Sequence, residues 1–322
     1  MKAWVFASKE DLGGWIEQDP SGLPDLPVLV RITHSGINYK DALSLTRHAP
    51  IARSFPMAAG IDFVGSVIED RSGAFLPGEV VVATGNGLGE TTWGGYAEQA
   101  RVRPEWLTRL PKGLSQEQAA AVGTAGLTAA MAINALERFG IAADQGPVVV
   151  TGPTGGVGSF ASFLLKHAGY HVIAATGRLA ESEYLMANGA AEIIDRAELE
   201  TEPRALGKER WRASVDVIGG KVLANILSAV RYGGAVAACG LAGSMALPVS
   251  VAPFILRGVS LLGIDSVMAP ETTRRAAWNR IAAAAAAIPF DRIVTRRRFV
   301  EVADLAPKLL DQQLRGRVVL SW

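Results

Sequence analysis

Apolar and polar positions change their spacing along this chain, and the changes divide it. Up to about residue 118 the apolar residues come in short alternating or β-branched runs broken by Gly and Pro. The runs at 1–6, 28–34, 65–69, 79–83 and 98–102 predict antiparallel strands of a partly open barrel. The stretches 35–65 and 84–99 between them are read as loops. From 116 to 139 the spacing becomes helical, alanine-rich and small-faced, and stops at Gly140. Beyond Pro147 short β-branched runs alternate with helical segments, the pattern of a parallel sheet with crossover helices. Strands are expected at 148–150, 171–175, 214–217, 234–238 and 259–263, with a helix over 251–257. A helix over 272–287, a strand at 296–299, a helix over 302–313 and a last strand at 316–321 complete the reading. The apolar segment 261–265 is an expected edge strand, and an unpaired edge predicts a homodimer closed by edge-to-edge pairing.

The strand at 148–150 runs into a glycine turn and then an apolar helix, PVVVTGPTGGVGSFASFLL. Gly152 suits the tight exit, Gly155 and Gly156 let backbone approach a ligand, and Gly158 lets the helix pack closely on the sheet. With Thr154 and Val157 these residues surround a helix N-terminus whose free N–H groups and positive dipole end fit a pyrophosphate. A second strand follows, as a βαβ unit requires, so the turn is read as a dinucleotide site. At the tip of that second strand stand Thr176, Gly177 and Arg178, where an NAD site places Asp or Glu. A guanidinium with a hydroxyl beside it suits a 2′-phosphate, and Arg196 falls in the same region, so NADPH is the expected cofactor.

A length of 322 residues makes two domains the default, and a net charge of +1 argues against nucleic acid or a membrane surface as partner. No run of 18 apolar residues occurs, so no transmembrane helix is expected, and the N-terminus lacks the apolar core of a signal peptide. The single cysteine, Cys239, lies in an apolar run and reads as structural, which predicts a cytoplasmic protein without disulfides. It also rules out a four-cysteine zinc site, and His34, His48, His167 and His171 are read as surface or capping residues.

The order of parts resembles the medium-chain dehydrogenase/reductase superfamily over essentially the whole chain. Its zinc enzymes carry Cys in G-x-C-x-x-D and His-Glu in G-H-E, and the matching places here read Gly36-Ile37-Asn38-Tyr39-Lys40-Asp41 and Gly60-Ile61-Asp62. Asn38 is a poor metal ligand and Ile61 none, which resembles the zinc-free, quinone-oxidoreductase-like group. NYKDAL (38–43), FPMAAGIDFVG (55–65), WGGYAEQARV (93–102), GTAGLTA (123–129), CGLAG (239–243) and PFILRGVSLLGIDSVM (253–268) are similar to the NADPH-dependent acryloyl-CoA reductases.

The resemblance implies an α/β fold in which a Rossmann doubly wound parallel sheet, 122–264, is inserted in a GroES-like β-barrel catalytic domain, 1–121 and 265–322. It implies reduction of an alkene conjugated to a thioester, with NADPH:quinone reduction and NADPH binding without turnover as alternatives. It places Asn38, Tyr39 and Asp41 beside the nicotinamide, with Asn38 offering amide donors and Tyr39 packing near the ring. Arg317 is the implied anchor for the thioester or CoA side, and Leu241 and Ser266 join the cofactor residues. Trp93, Phe55 and Met57 are candidate walls of an acyl pocket. The stretch 46–49 lacks the tyrosine that related enoyl reductases use as donor, so no proton donor is assigned.

Overall fold

The valine- and isoleucine-rich run expected at 28–34 reaches Gly36 and becomes the strand on which its neighbours assemble, burying Val28, Val30 and Ile32 at alternate positions. The computed structural model describes Met1–Trp322. The chain divides into a first unit, Met1–Thr124 with Ser266–Arg275 and Pro289–Trp322, and a second, Ala125–Asp265 with Ala276–Ile288.

The first unit opens with strands β1 (Lys2–Phe6), β2 (Gly14–Glu17) and β3 (Val28–Gly36), followed by helix α1 (Tyr39–Leu45). Then come β4 (Met57–Ala58), β5 (Asp62–Asp70), β6 (Val80–Thr84), β7 (Gln99–Val102) and β8 (Leu107–Arg109). Helix α1 lies inside the stretch read as a loop. It begins where Asn38 takes an extended conformation and donates its N–H to the Asp41 carboxylate, a local cap that periodicity over so short a segment does not reveal.

Helix α2 (Gln116–Phe139) begins in the first unit and ends in the second, and it is broken at Gly123, whose φ of 43° lies outside the helical range. By length and composition alone α2 would pass as a membrane span, although it contains no unbroken run of 18 apolar residues. However, 83% of its most apolar window is buried, the mark of a core helix.

The second unit carries β9 (Val148–Thr151), α3 (Gly156–His167), β10 (Val172–Thr176), α4 (Ser182–Ala187), β11 (Glu192–Asp195), β12 (Trp211–Asp216), α5 (Gly220–Ser228), β13 (Val230–Ala238), α6 (Ala252–Arg257) and β14 (Ser260–Gly263). All pairs are parallel, in the order β11-β10-β9-β12-β13-β14. This is a doubly wound sheet whose order reverses between β9 and β12, the place where such sheets bind ligands at their C-terminal ends. Strand β14 forms one border of the sheet, as expected.

Helix α7 (Glu271–Ala284) is followed by a 3-10 turn, Ala285–Ala287, and its part from Ala276 clusters with the second unit. The chain closes with α8 (Phe290–Ile293), β15 (Val294–Arg298), α9 (Val302–Leu310) and β16 (Arg317–Ser321). Strands β16 and β15 extend the main sheet of the first unit, giving β15-β16-β3-β5-β6-β8, with β7 also paired to β3. Its core includes Phe6, Phe63, Tyr96 and Phe299, and Trp322 stacks on Phe299 with ring centroids 4.3 Å apart.

Candidate active site and nucleotide-binding edge

In the second unit the turn after β9 delivers Gly155 to the N-cap of α3 without a side-chain cap, so the first-turn N–H groups are left for an anion. The glycine at 158 is demanded by packing, because a Cβ there would lie 2.2 Å from the Gly152 carbonyl oxygen. Thr154, Gly155, Gly156, Val157 and Gly158 therefore sit together at the C-terminal edge of the sheet. At the end of β10, the Thr176 side-chain oxygen accepts from the Arg178 N–H at 2.9 Å. Arg196 comes beside this tip, its Nη2 3.2 Å from where a Cβ of Gly177 would stand. The neighbouring strand ends in Asp195, level with Thr176, and this carboxylate accepts from the Ala197 N–H at 2.9 Å, capping its own turn. Leu241 is 55% exposed in the turn after β13, which is tied to the turn after β12 through Gly243 N–H and Ile218 C=O at 2.8 Å.

Sequence reading missed a pair beneath this edge. Thr151 on β9 donates to Asp216 on β12 at 2.8 Å, and the Thr151 oxygen accepts from Val217 N–H at 3.0 Å. The other Asp216 oxygen accepts from Gly219 N–H at 2.8 Å. This closed ring joins the two strands where the order reverses. Burial raises the carboxyl of Asp216 above its ordinary range, against these donors. Half-buried Cys239 donates to the Asp216 carbonyl at 3.3 Å, and burial, then the Asp216 charge, pushes its thiol up.

In the first unit, Asn38, Asp41, Asp62, Tyr96 and Arg317 form one buried network. Asp41 accepts from Asn38 N–H at 2.8 Å, Asn38 Nδ2 at 3.0 Å and Ile61 N–H at 2.9 Å. Asp62 accepts from Asn38 Nδ2 at 2.9 Å, Gly36 N–H at 3.1 Å and Thr124 N–H at 2.9 Å. Arg317 donates through Nη1 to Asn38 Oδ1 at 2.9 Å and Ile37 C=O at 3.1 Å, and through Nε to Ala121 C=O at 2.9 Å. Its Nη2 lies 3.9 Å from Asp62 Oδ2. The Tyr96 hydroxyl donates to the Gly36 carbonyl at 3.1 Å.

Two carboxylates against one guanidinium leave this buried site short of positive charge. Burial, and then the charge of Asp62, push the Asp41 carboxyl up to about 7, although three donors oppose the shift. Burial and both carboxylates also hold the Tyr96 hydroxyl well above its ordinary range, so it stays neutral.

Three expectations change here. Asn38 has no amide hydrogen to offer a substrate, since both are donated to Asp41 and Asp62 while its oxygen accepts from Arg317. Arg317, the expected anchor for the thioester or CoA side, is 3% exposed with its guanidinium turned into the network. Trp93 and Met57 belong to the core, the Trp93 Nε1 donating to Pro56 C=O at 3.0 Å. Of the four residues expected at the chemistry, Tyr39 alone is open, 43% exposed at the start of α1. Ser266 lies in the first unit, its carbonyl accepting from Arg274 Nη2 at 2.9 Å. Asp62 and Tyr96 were missed as network members, although a carboxylate inside the apolar MAAGIDFVG is a legible sign of a buried charge that needs partners. No three His, Cys, Asp or Glu side chains are grouped to hold a metal ion.

Residues 24–112 match the alcohol dehydrogenase GroES-like domain, and residues 156–283 match the zinc-binding dehydrogenase family. The chain is 46% identical over 306 residues to acrylyl-CoA reductase AcuI of Ruegeria pomeroyi, covering 93% of this chain and 92% of that protein. The crystal structure of the yhdH oxidoreductase of Salmonella enterica in complex with NADP aligns with a TM-score of 0.96 at 42% identity, covering 100% of both chains. That of Bacillus subtilis yhfP with NAD bound aligns at 0.94 with 38% identity, covering 100% of this chain and 99% of the other.

Proposed function

Since the chain belongs to the medium-chain dehydrogenase/reductase superfamily, in the zinc-free branch that contains the acrylyl-CoA reductases, we propose that it reduces acryloyl-CoA to propanoyl-CoA with NADPH. The observation that carries this reading is the state of Asn38. Where zinc relatives hold a metal ligand, this chain holds an amide committed on all sides to Asp41, Asp62 and Arg317. The site is therefore built for an acceptor that arrives already activated, an alkene conjugated to a thioester carbonyl.

The residues present fit the cofactor: an uncapped helix N-terminus for the pyrophosphate, and Arg178 and Arg196 with Thr176 for the 2′-phosphate. When bound, NADPH supplies the hydride for the substrate β-carbon, and a proton completes the product at the α-carbon. The chain's own contribution is placement. Asp41 and Asp62 hold Asn38 rigidly, and Asn38 precedes the first turn of α1, where Tyr39 is 43% exposed.

The partner is a small molecule. We further assign a cytoplasmic location and a homodimer paired through β14, whose Leu261 is exposed, as are Ile255 and Leu256 on the preceding α6. The test is NADPH oxidation followed optically with acryloyl-CoA, crotonoyl-CoA and a simple quinone in turn. Oxidation with acryloyl-CoA and little with the quinone is expected. Turnover of the quinone alone, or NADPH binding without turnover of any acceptor, would overturn the reading.

A further inference from the structure

Both guanidinium groups at the tip of β10 are matched with a carboxylate from the turn that follows them. Arg178 Nη2 lies 2.7 Å from Glu181 Oε1, and Arg196 Nε lies 2.7 Å from Glu200 Oε1. The settings differ. The side chains of Arg178 and Glu181 are 23% and 22% exposed, whereas Glu200 is 50% exposed. The Arg178–Glu181 pair is the more sheltered, and its charges are screened less by water and salt.

A carboxylate on a phosphate-binding guanidinium has two opposed effects. Its hydrogen bond holds the arginine in place, and its charge repels a phosphate that approaches the same group. The first effect needs an acceptor oxygen at the guanidinium, which a neutral amide also provides. The second rests on the full negative charge, acts on a phosphate of nearly two charges, and exceeds one hydrogen bond at short range in a partly sheltered site. NADH has a neutral hydroxyl at that position, which the same charge does not repel.

We propose that Glu181 is a specificity-determining residue whose charge, set against Arg178, limits the preference of this chain for NADPH over NADH. The inference rests on the assignment of Arg178 to the 2′-phosphate. Glu200 acts in the same sense and more weakly, because water screens it.

The test is calorimetric titration of the full-length protein with NADPH and with NADH, for the wild type, Glu181→Gln, Glu200→Gln and Arg178→Ala. Glu181→Gln keeps an acceptor oxygen for Arg178 and removes the negative charge. It is expected to tighten NADPH about fivefold, to change NADH by less than about twofold, and to lose most of its advantage at high salt. Glu200→Gln is expected to show a smaller gain. Unchanged NADH binding reports an intact fold. If Glu181→Gln leaves NADPH affinity unchanged or weakens it while Arg178→Ala abolishes the preference, the role given to Glu181 is wrong and the phosphate site stands. If Arg178→Ala weakens both cofactors equally, the premise falls and the proposal with it.

Discussion

Arg317 donates from Nη1 to the side-chain oxygen of Asn38 at 2.9 Å, across 279 positions of chain. That bond orients the amide, because its oxygen faces the guanidinium and its nitrogen must then face the carboxylates of Asp41 and Asp62. The closing strand thereby decides what the residue in the zinc-ligand position is able to do. Glycine makes room for it: a Cβ at Gly36 would lie 2.1 Å from Arg317 Nη2.

Replacing Arg317 with Met removes the guanidinium and leaves two buried carboxylates uncompensated. The expected cost is about 3–5 kcal/mol of stability, read as the urea midpoint, with loss of turnover. A variant as stable as the wild type would show that the guanidinium does not hold the network together.

The Asp41 carboxyl keeps its proton up to about pH 7 in the folded chain, whereas in the unfolded chain it releases it near 3.8. Between these values the native state binds more protons than the unfolded one. The Asp41 contribution to stability is therefore full below that window and is lost progressively as pH rises through it. Replacing Asp62 with Asn removes a carboxylate charge that helps raise the Asp41 value, so this slope should shrink and shift to lower pH. Urea melts at a series of pH values across the window check this, and an unaltered slope would contradict it.

Thr151→Val leaves the Val217 N–H without its acceptor and Asp216 without one donor. The expected loss is about 1–3 kcal/mol, together with weaker NADPH binding because the turn after β12 is freed. Thermal melts and cofactor titration together check it; unchanged affinity would confine the pair to a structural role.

Gly158→Ala drives a methyl group to 2.2 Å from the Gly152 carbonyl oxygen. Helix α3 must back away from the turn, at about 1–3 kcal/mol, and NADPH affinity should fall with it. Normal binding by this variant would mean that the turn does not cradle the cofactor.

Leu261→Asp sets a charge on the border strand β14. Sedimentation is expected to show a dimer for the wild type and a monomer for the variant. A wild-type monomer, or a variant that still dimerises, would remove β14 from the interface.

Much of the fold was legible because its signals are local. The run at 148–150, the glycine turn and the helix after it follow from β-branching and small residues in consecutive order, and they are found as β9 and α3. The edge position of β14 followed from a short apolar run late in the alternating region. Helix α1 was not legible, since its start depends on Asp41 capping Asn38. Strand β11, which is short and polar at Glu192 and Asp195, gave no alternation to read and owes its place to pairing with β10.

At the site, residue identity alone was enough for the missing metal ligands at Asn38 and Ile61 and for the basic tip at Arg178, because each depends on which chemical group stands in a motif. What those groups are free to do was decided only on folding. Hydrogen-bond capacity is consumed by whatever neighbours the tertiary structure supplies, and here Asp62, Thr124 and Arg317 come from three distant segments. Those neighbours turned Asn38 from a donor for substrate into a fixed spacer, and drew Arg317 from an expected anchor for the thioester or CoA side into a buried counter-charge.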